Sequence, residues 1–199
     1  VALRERGLPY ASFPEALGEW LLEDRIPVVV TGTHGKTTTT ALTAWLLEAN
    51  GQSPGLLIGG VPVNLGKSFQ QGSSPPFVIE GDEYDTAYYD KRPKFVHYKP
   101  HHAILTSIEF DHADIYPDLA HIETSFRQLI NTVPGSGLIV ANHDDPVVGG
   151  LLPRSLAPVQ TVGLSSSAEW SASDIEPRGP NSSFTVSRHG SKLEGGRFE

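Results

Sequence analysis

The loop Gly32-Thr33-His34-Gly35-Lys36-Thr37 brings together what a bound phosphate needs: inward-pointing backbone N–H groups, a cation, and a helix start behind them. Gly32 and Gly35 permit the tight backbone, Lys36 supplies the charge, and Thr37 offers a hydroxyl to a divalent ion. Thr33, His34 and Thr38 complete the candidate phosphate contacts. Val30 stands where the longer G-x-x-x-x-G-K pattern has its first Gly, so the match is the shorter G-x-x-G-K-T-T form. A Gly-rich turn with an incidental Lys is the plain alternative. The apolar strand before the loop and the helix after it argue against that.

Two further segments carry candidate chemistry. In Phe77-Val78-Ile79-Glu80-Gly81-Asp82-Glu83-Tyr84-Asp85 an apolar strand delivers carboxylates at its carboxyl end, where open α/β sheets bind ligands. Mg²⁺ prefers hard oxygen ligands and keeps several waters, so one or two carboxylates suffice. Glu80, still on the strand, is the best placed; at least one of Asp82, Glu83 and Asp85 is expected to be a solvated turn residue. In Ile108-Glu109-Phe110-Asp111-His112-Ala113-Asp114, His112 follows another strand between two aspartates, and a neutral imidazole there could ligate a second metal or orient a phosphate group. Lys36, Glu80 and His112 form the candidate catalytic set, and Thr37, Glu80 and His112 the candidate metal ligands. His97, His101 and His102 read as a surface loop, and Asn142-His143-Asp144-Asp145-Pro146 as a turn opening a helix.

The elements that must position these residues alternate. Ser12-Phe13-Pro14-Glu15 has capping-box spacing, which predicts a helix from Phe13 to Asp24. Ile26–Val30 reads as a strand and Thr37–Asn50 as a helix stopped by Gly51. Strands are expected at Gly55–Ile58, Phe77–Glu80, Ala103–Ser107, Leu138–Ala141 and Val159–Gly163, with a helix at Asp118–Thr132. Ser183–Arg188 and Lys192–Phe198 read as a hairpin around His189-Gly190-Ser191, after a boundary between Ser165 and Pro180. The pattern predicts an α/β fold: a mostly parallel sheet with helices on both faces, closed by a C-terminal β-hairpin.

Composition narrows the function classes. The 199 residues suffice for one substantial core, and 38% hydrophobic with 19% charged residues is ordinary for a globular domain. A net charge of -8 argues against non-specific binding to nucleic acid or anionic membranes. The absence of Cys excludes disulfides, thiolate metal sites and cysteine nucleophiles. No apolar run reaches the roughly 20 residues of a membrane span, and no signal peptide is evident, so the cytoplasm is the expected location. A chain without Met that stops straight after a strand reads as a piece of a longer protein.

Together, Thr31–Thr39, Glu80–Asp85, Asp111–Asp114 and the Asn142–Asp145 turn resemble the central domain of the ATP-dependent Mur ligases, which build the bacterial cell-wall peptide. The resemblance covers Ile26 to Phe198 and implies a P-loop NTPase-like fold. It also implies that residues 1–25 lead in from an N-terminal domain, that 26–199 form the central ATPase domain, and that a C-terminal domain is absent. His34 resembles family members acting on UDP-N-acetylmuramate. Asp82–Tyr98, with its Asp-Lys-Arg stretch, is similar to the recycling branch, which adds the murein tripeptide L-Ala-γ-D-Glu-meso-diaminopimelate. The alternatives are the alanine-adding branch, another P-loop kinase or hydrolase, and a non-catalytic nucleotide-binding module.

The resemblance implies ATP and Mg²⁺: a substrate carboxylate attacks the γ-phosphate, and an amine then displaces phosphate from the acyl phosphate. Lys36 and the loop would stabilise the transferring phosphoryl group. Thr37 and Glu80 would hold one Mg²⁺, and Glu80 and His112 a second. Asn64 and Asp82 would border the substrate. Ser107 stands where the family often has Asn, and Phe126 falls near the Lys that other members carbamoylate.

Overall fold

The computed structural model describes residues 5–110, 116–179 and 181–198. Among these residues twelve strands lie in this order: β1 (Ile26–Thr31), β2 (Gly55–Leu57), β3 (Phe69–Gln70), β4 (Pro76–Gly81), β5 (Asp85–Ala87), β6 (Asp90–Pro93), β7 (His102–Leu105), β8 (Leu138–Asn142), β9 (Val159–Gly163), β10 (Trp170–Arg178), β11 (Asn181–Arg188) and β12 (Ser191–Phe198). Among the described residues ten of them form one sheet, in the order β12-β11-β10-β9-β8-β7-β1-β4-β2-β3. The run from β9 to β2 is parallel throughout, with β1 between β4 and β7.

Among the described residues four α-helices accompany them: α1 (Phe13–Ala16), α2 (Lys36–Ala49), α3 (Leu119–Thr132) and α4 (Pro146–Leu151). The parallel strands are apolar on consecutive residues because both faces are covered. Val30, Leu56 and Val78 meet Ala44 of α2 on one face. Val29, Phe77 and Ile79 face the other way, into the larger core. There Ile122, Phe126, Leu129 and Ile130 line the buried stripe of α3, whose start Asp118 caps by accepting the His121 N–H at 3.0 Å. Phe126 is fully buried, 5.7 Å from the ring of Phe95.

The capping box is present, with Ser12 accepting from the Glu15 N–H at 3.3 Å and Glu15 accepting from the Ser12 N–H at 2.7 Å. The helix it opens is shorter than the sequence suggests, because α1 passes into a π-helical turn, Leu17–Leu21, that ends before Asp24. That turn lies tight against the 94–98 segment, where a Cβ on Gly18 would overlap the carbonyl of His97.

Three expectations need correction. The stretch expected to be a boundary holds β10, so the terminal hairpin is the outer part of an antiparallel three-strand meander continuing the sheet. Strand β10 escaped because most of its side chains are exposed and a register shift between Ser173 and Glu176 breaks its alternation. The histidines do not form a surface loop: His97 sits in a 3-10 turn, Lys94–Tyr98, its side chain only 8% exposed, and His102 opens β7. Finally, β5 and β6 form a small hairpin unseen in the sequence, directly after the acidic segment.

Candidate active site

Because β1 is flanked by β4 and β7, the loops leaving the carboxyl ends of all three strands meet over one edge of the sheet. The loop from Gly32 to Gly35 is central. Gly32 has φ +135°, and its Cα faces the Thr106–Ser107 backbone, where a Cβ would lie 2.7 Å from the Ser107 carbonyl oxygen. Gly35, at φ +80°, is the N-cap of α2 and adds no side-chain cap, which leaves the first-turn N–H groups open to a ligand.

The segment after β7 holds this loop in place. The Thr33 N–H donates to the Ser107 carbonyl at 2.7 Å, and the Glu109 N–H donates to Thr33 Oγ1 at 2.9 Å. The His34 N–H donates to Ser107 Oγ at 3.2 Å, and Thr106 Oγ1 donates to the His34 carbonyl at 2.6 Å. Ser107 therefore positions the loop, a role its sequence context did not reveal. The His34 ring is well exposed, 3.8 Å from the Glu109 carboxylate. Asp145 braces the same segment: one oxygen caps α4 through the Val147 N–H at 2.8 Å, and the other accepts the Ile108 N–H at 2.8 Å.

Lys36 bends back across the loop. Its Nζ donates to the carbonyls of Gly32 at 2.7 Å and Thr33 at 3.2 Å and pairs with the Glu83 carboxylate at 3.1 Å. Glu83 is the unexpected member. It is 3% exposed, and its backbone carbonyl accepts from the buried hydroxyl of Tyr116, whose pKa burial raises. In sequence it was one of three acidic turn residues, with nothing to pair it with a lysine 47 positions away.

Glu80 ends β4 beside the start of α2. Its Oε2 accepts from Thr37 Oγ1 at 3.1 Å, and its Oε1 accepts the Gly59 N–H at 2.8 Å. A hydroxyl and a carboxylate oxygen so close, at an open helix N-terminus, are hard donors suited to Mg²⁺ bridging to phosphate. Asp82 shares a cavity of about 370 Å³ with Glu80, but its oxygens are engaged by Lys94 Nζ at 2.6 Å and the Tyr84 N–H at 3.1 Å. Tyr98, on the same cavity, has its phenol pushed up to about 12 by burial, with Asp82 adding to the effect.

Asn64 lies apart, in a separate hollow with Leu42, Trp45 and Val63 on the outer side of α2. His112, with Asp111 and Asp114, lies outside the described residues. Thr38 is exposed in the first turn of α2. Behind the cavity, Arg92 binds both carboxylate oxygens of Asp90 at 2.9 and 2.7 Å and holds that carboxyl well below the usual range; the His97 ring lies 3.0 Å from it.

Residues 30–196 match the Mur ligase middle domain. The UDP-N-acetylmuramate–L-alanyl-γ-D-glutamyl-meso-2,6-diaminoheptanedioate ligase of Haemophilus influenzae is 45% identical over 189 residues, which is 95% of this chain and 41% of the relative. The UDP-N-acetylmuramate–L-alanine ligase of Chlorobaculum tepidum is 37% identical over 198 residues, which is 100% of this chain and 40% of the relative. Among solved structures, the UDP-N-acetylmuramate:L-alanyl-γ-D-glutamyl-meso-diaminopimelate ligase of Neisseria meningitidis superposes with a TM-score of 0.87 at 44% identity, over 96% of this chain and 60% of that one. The chain thus spans well under half the length of these curated relatives. With its Gly32–Thr37 loop at the centre of a parallel sheet and its match to the middle domain along most of its length, this chain belongs to the Mur ligase family.

Proposed function

We propose that this chain is the ATP-binding domain of an ADP-forming ligase that joins UDP-N-acetylmuramate to the tripeptide L-Ala-γ-D-Glu-meso-diaminopimelate in cell-wall recycling. The observation that carries the reading is the convergence of Lys36, Thr37 and Glu80 at the open N-terminus of α2. The choice of tripeptide over L-alanine rests on the closer similarity to the Haemophilus ligase, 45% against 37%, and on the Asp90-Lys91-Arg92 stretch.

The loop N–H groups and Lys36 bind the β- and γ-phosphates and stabilise charge on the transferring phosphoryl group. A carboxylate oxygen of the acid substrate attacks the γ-phosphorus, the bond to the bridging oxygen breaks, and ADP leaves. The peptide amine then attacks the acyl carbon, phosphate departs, and the nitrogen loses a proton as the amide forms. Thr37 and Glu80 would hold Mg²⁺, which when bound neutralises phosphate charge; His112 as a second ligand beside Glu80 rests on the resemblance alone. Glu83 keeps the Lys36 ammonium over the loop until phosphate takes up part of its hydrogen bonding. The need for ATP puts the reaction in the cytoplasm. Among the described residues no helix is long and apolar enough to cross a membrane.

The test is ADP release by the full-length protein with UDP-N-acetylmuramate, comparing the tripeptide with free L-alanine. Turnover with the tripeptide and a fall of about 10² to 10³ in Lys36→Ala are expected, by analogy with loss of an oxyanion donor. Turnover with L-alanine alone would move the chain to the alanine-adding branch. Unimpaired Lys36→Ala would remove the loop from the chemistry.

A further inference from the structure

We infer that Lys94 is the carboxylate receptor of the cavity it shares with Glu80, exchanging Asp82 for the carboxylate of the acid substrate; this deepens the ligase reading above and rests on it. The cavity opens between the carboxyl ends of β2 and β4, the start of α1 and the Lys94–Tyr98 turn. Leu57, Ile58, Ile79 and Phe13 give it an apolar lining, against which Glu80, Asp82, Thr86, Lys94 and the Tyr98 phenol are the polar groups. Lys94 is the only cation among the described residues that line it. With two carboxylates facing it, the cavity is negative by one charge, and a divalent ion at Glu80 turns it positive, as an incoming acid requires.

The basic residues of this stretch are not equivalent. Lys91 and Arg92 are 69% and 57% exposed on the hairpin, paired with Asp85 and Asp90. Lys94 comes after the hairpin, where its N–H donates to the Tyr84 carbonyl at 3.1 Å and the neighbouring Phe95 is fully buried, so its stem starts from a fixed point. Its Nζ reaches Asp82 at 2.6 Å and lies 5.7 Å from the Tyr84 ring.

The pair it makes is replaceable. Lys94 and Asp82 are 32% and 36% exposed, and ion pairs this wet are worth little, so exchanging one carboxylate for another is nearly isoenergetic. The Lys36–Glu83 pair, whose carboxylate is 3% exposed, has no such freedom. Asp82 is therefore a placeholder, keeping Lys94 aimed into the cavity until a substrate carboxylate arrives.

The test uses the full-length protein and calorimetric titration with UDP-N-acetylmuramate in the presence of Mg²⁺ and the absence of ATP, alongside steady-state KM values for all three substrates. Lys94→Met is expected to weaken UDP-N-acetylmuramate binding about 10- to 100-fold, because the incoming carboxylate loses Lys94 as its partner and meets an Asp82 carboxylate that nothing then neutralises, with KM for ATP within about twofold. Lys94→Arg, which keeps the charge, should hold within about threefold. Asp82→Asn is expected to act in the opposite direction, leaving binding unchanged or about threefold tighter because the internal competitor is gone. Equal weakening by Lys94→Met and Asp82→Asn, with equal loss of thermal stability, would make the pair merely structural and overturn the inference. A shift confined to the tripeptide KM would overturn it too, assigning Lys94 to a peptide carboxylate. Absence of ligation by the unsubstituted protein is a separate result and strikes the ligase reading itself.

Discussion

Replacing Gly32 with Ala tests whether the loop is held by backbone geometry. At φ +135° an L side chain is strained, at about 1 to 3 kcal/mol. The added Cβ would also overlap Thr106 Oγ1 and lie 2.7 and 2.8 Å from the oxygen and nitrogen of Ser107, atoms belonging to backbone and unable to rotate away. Overpacking of this kind costs a further 1 to 3 kcal/mol or so. Together these come to about 4 kcal/mol, and at roughly 2 to 4 °C per kcal/mol for a domain this size Tm should fall by about 8 to 16 °C. Gly35→Ala is the control. It carries the left-handed strain at φ +80°, but the nearest atom to its Cβ is Thr39 Oγ1 at 3.9 Å, so only about 1 to 2 kcal/mol is expected. Calorimetric melting of the 199-residue chain and both variants checks this. Relief of the clash must push the loop off Ser107 and break the Thr33–Ser107 hydrogen bond, so Mg-ATP affinity should fall with Tm in Gly32→Ala. If Gly32→Ala melts within about 3 °C of the unsubstituted chain, or no lower than Gly35→Ala, the Ser107 backbone is not the constraint argued here.

Glu80→Ala should shift the Mg²⁺ dependence of ADP formation in the full-length protein more than Asp82→Ala does, because only Glu80 stands within 3.1 Å of Thr37 Oγ1 at the helix start; the reverse order would reassign the metal ligand. Asp90→Asn should cost about 1 kcal/mol near pH 7, since a fork-shaped Arg–carboxylate pair is lost at a partly exposed site. Arg92 lowers the folded pKa of Asp90, so this stabilisation is complete above the unfolded value of about 4 and disappears as pH falls through the lowered folded one. Denaturant melts from pH 7 downward should therefore show the two proteins converging in acid, and a difference independent of pH would refute the assignment.

Local chemistry made much of this molecule legible in its sequence. The β-branched and apolar runs at β1, β4, β7 and β8 show no alternation because both sheet faces are covered, and that pattern marks a parallel sheet wherever it occurs. Ser12 and Glu15 declare a helix start through bonds made within three residues. The glycines of the loop, the lysine after them and the helix behind are contiguous, so their proximity is covalent. The place of Glu80 at the carboxyl end of its strand was legible from the apolar run that leads into it.

What tertiary structure alone decided are the pairings between distant segments. Glu83 meets Lys36 only because β4 lies beside β1, and an acidic turn residue becomes a buried counter-ion through that strand order. Ser107 supports the loop because β7 flanks β1 on the other side. Lys94 reaches the Glu80 cavity because a short hairpin, held by Asp90, Arg92 and the buried turn after it, folds the chain back over the sheet edge. Strand β10 exists through its two neighbours in the sheet, since its own polar sequence has no apolar face to declare. The residues of the Gly32–Thr37 loop were fixed by their order along the chain. Their partners were fixed by strand adjacency, which depends on how whole faces pack and which no short window of sequence contains.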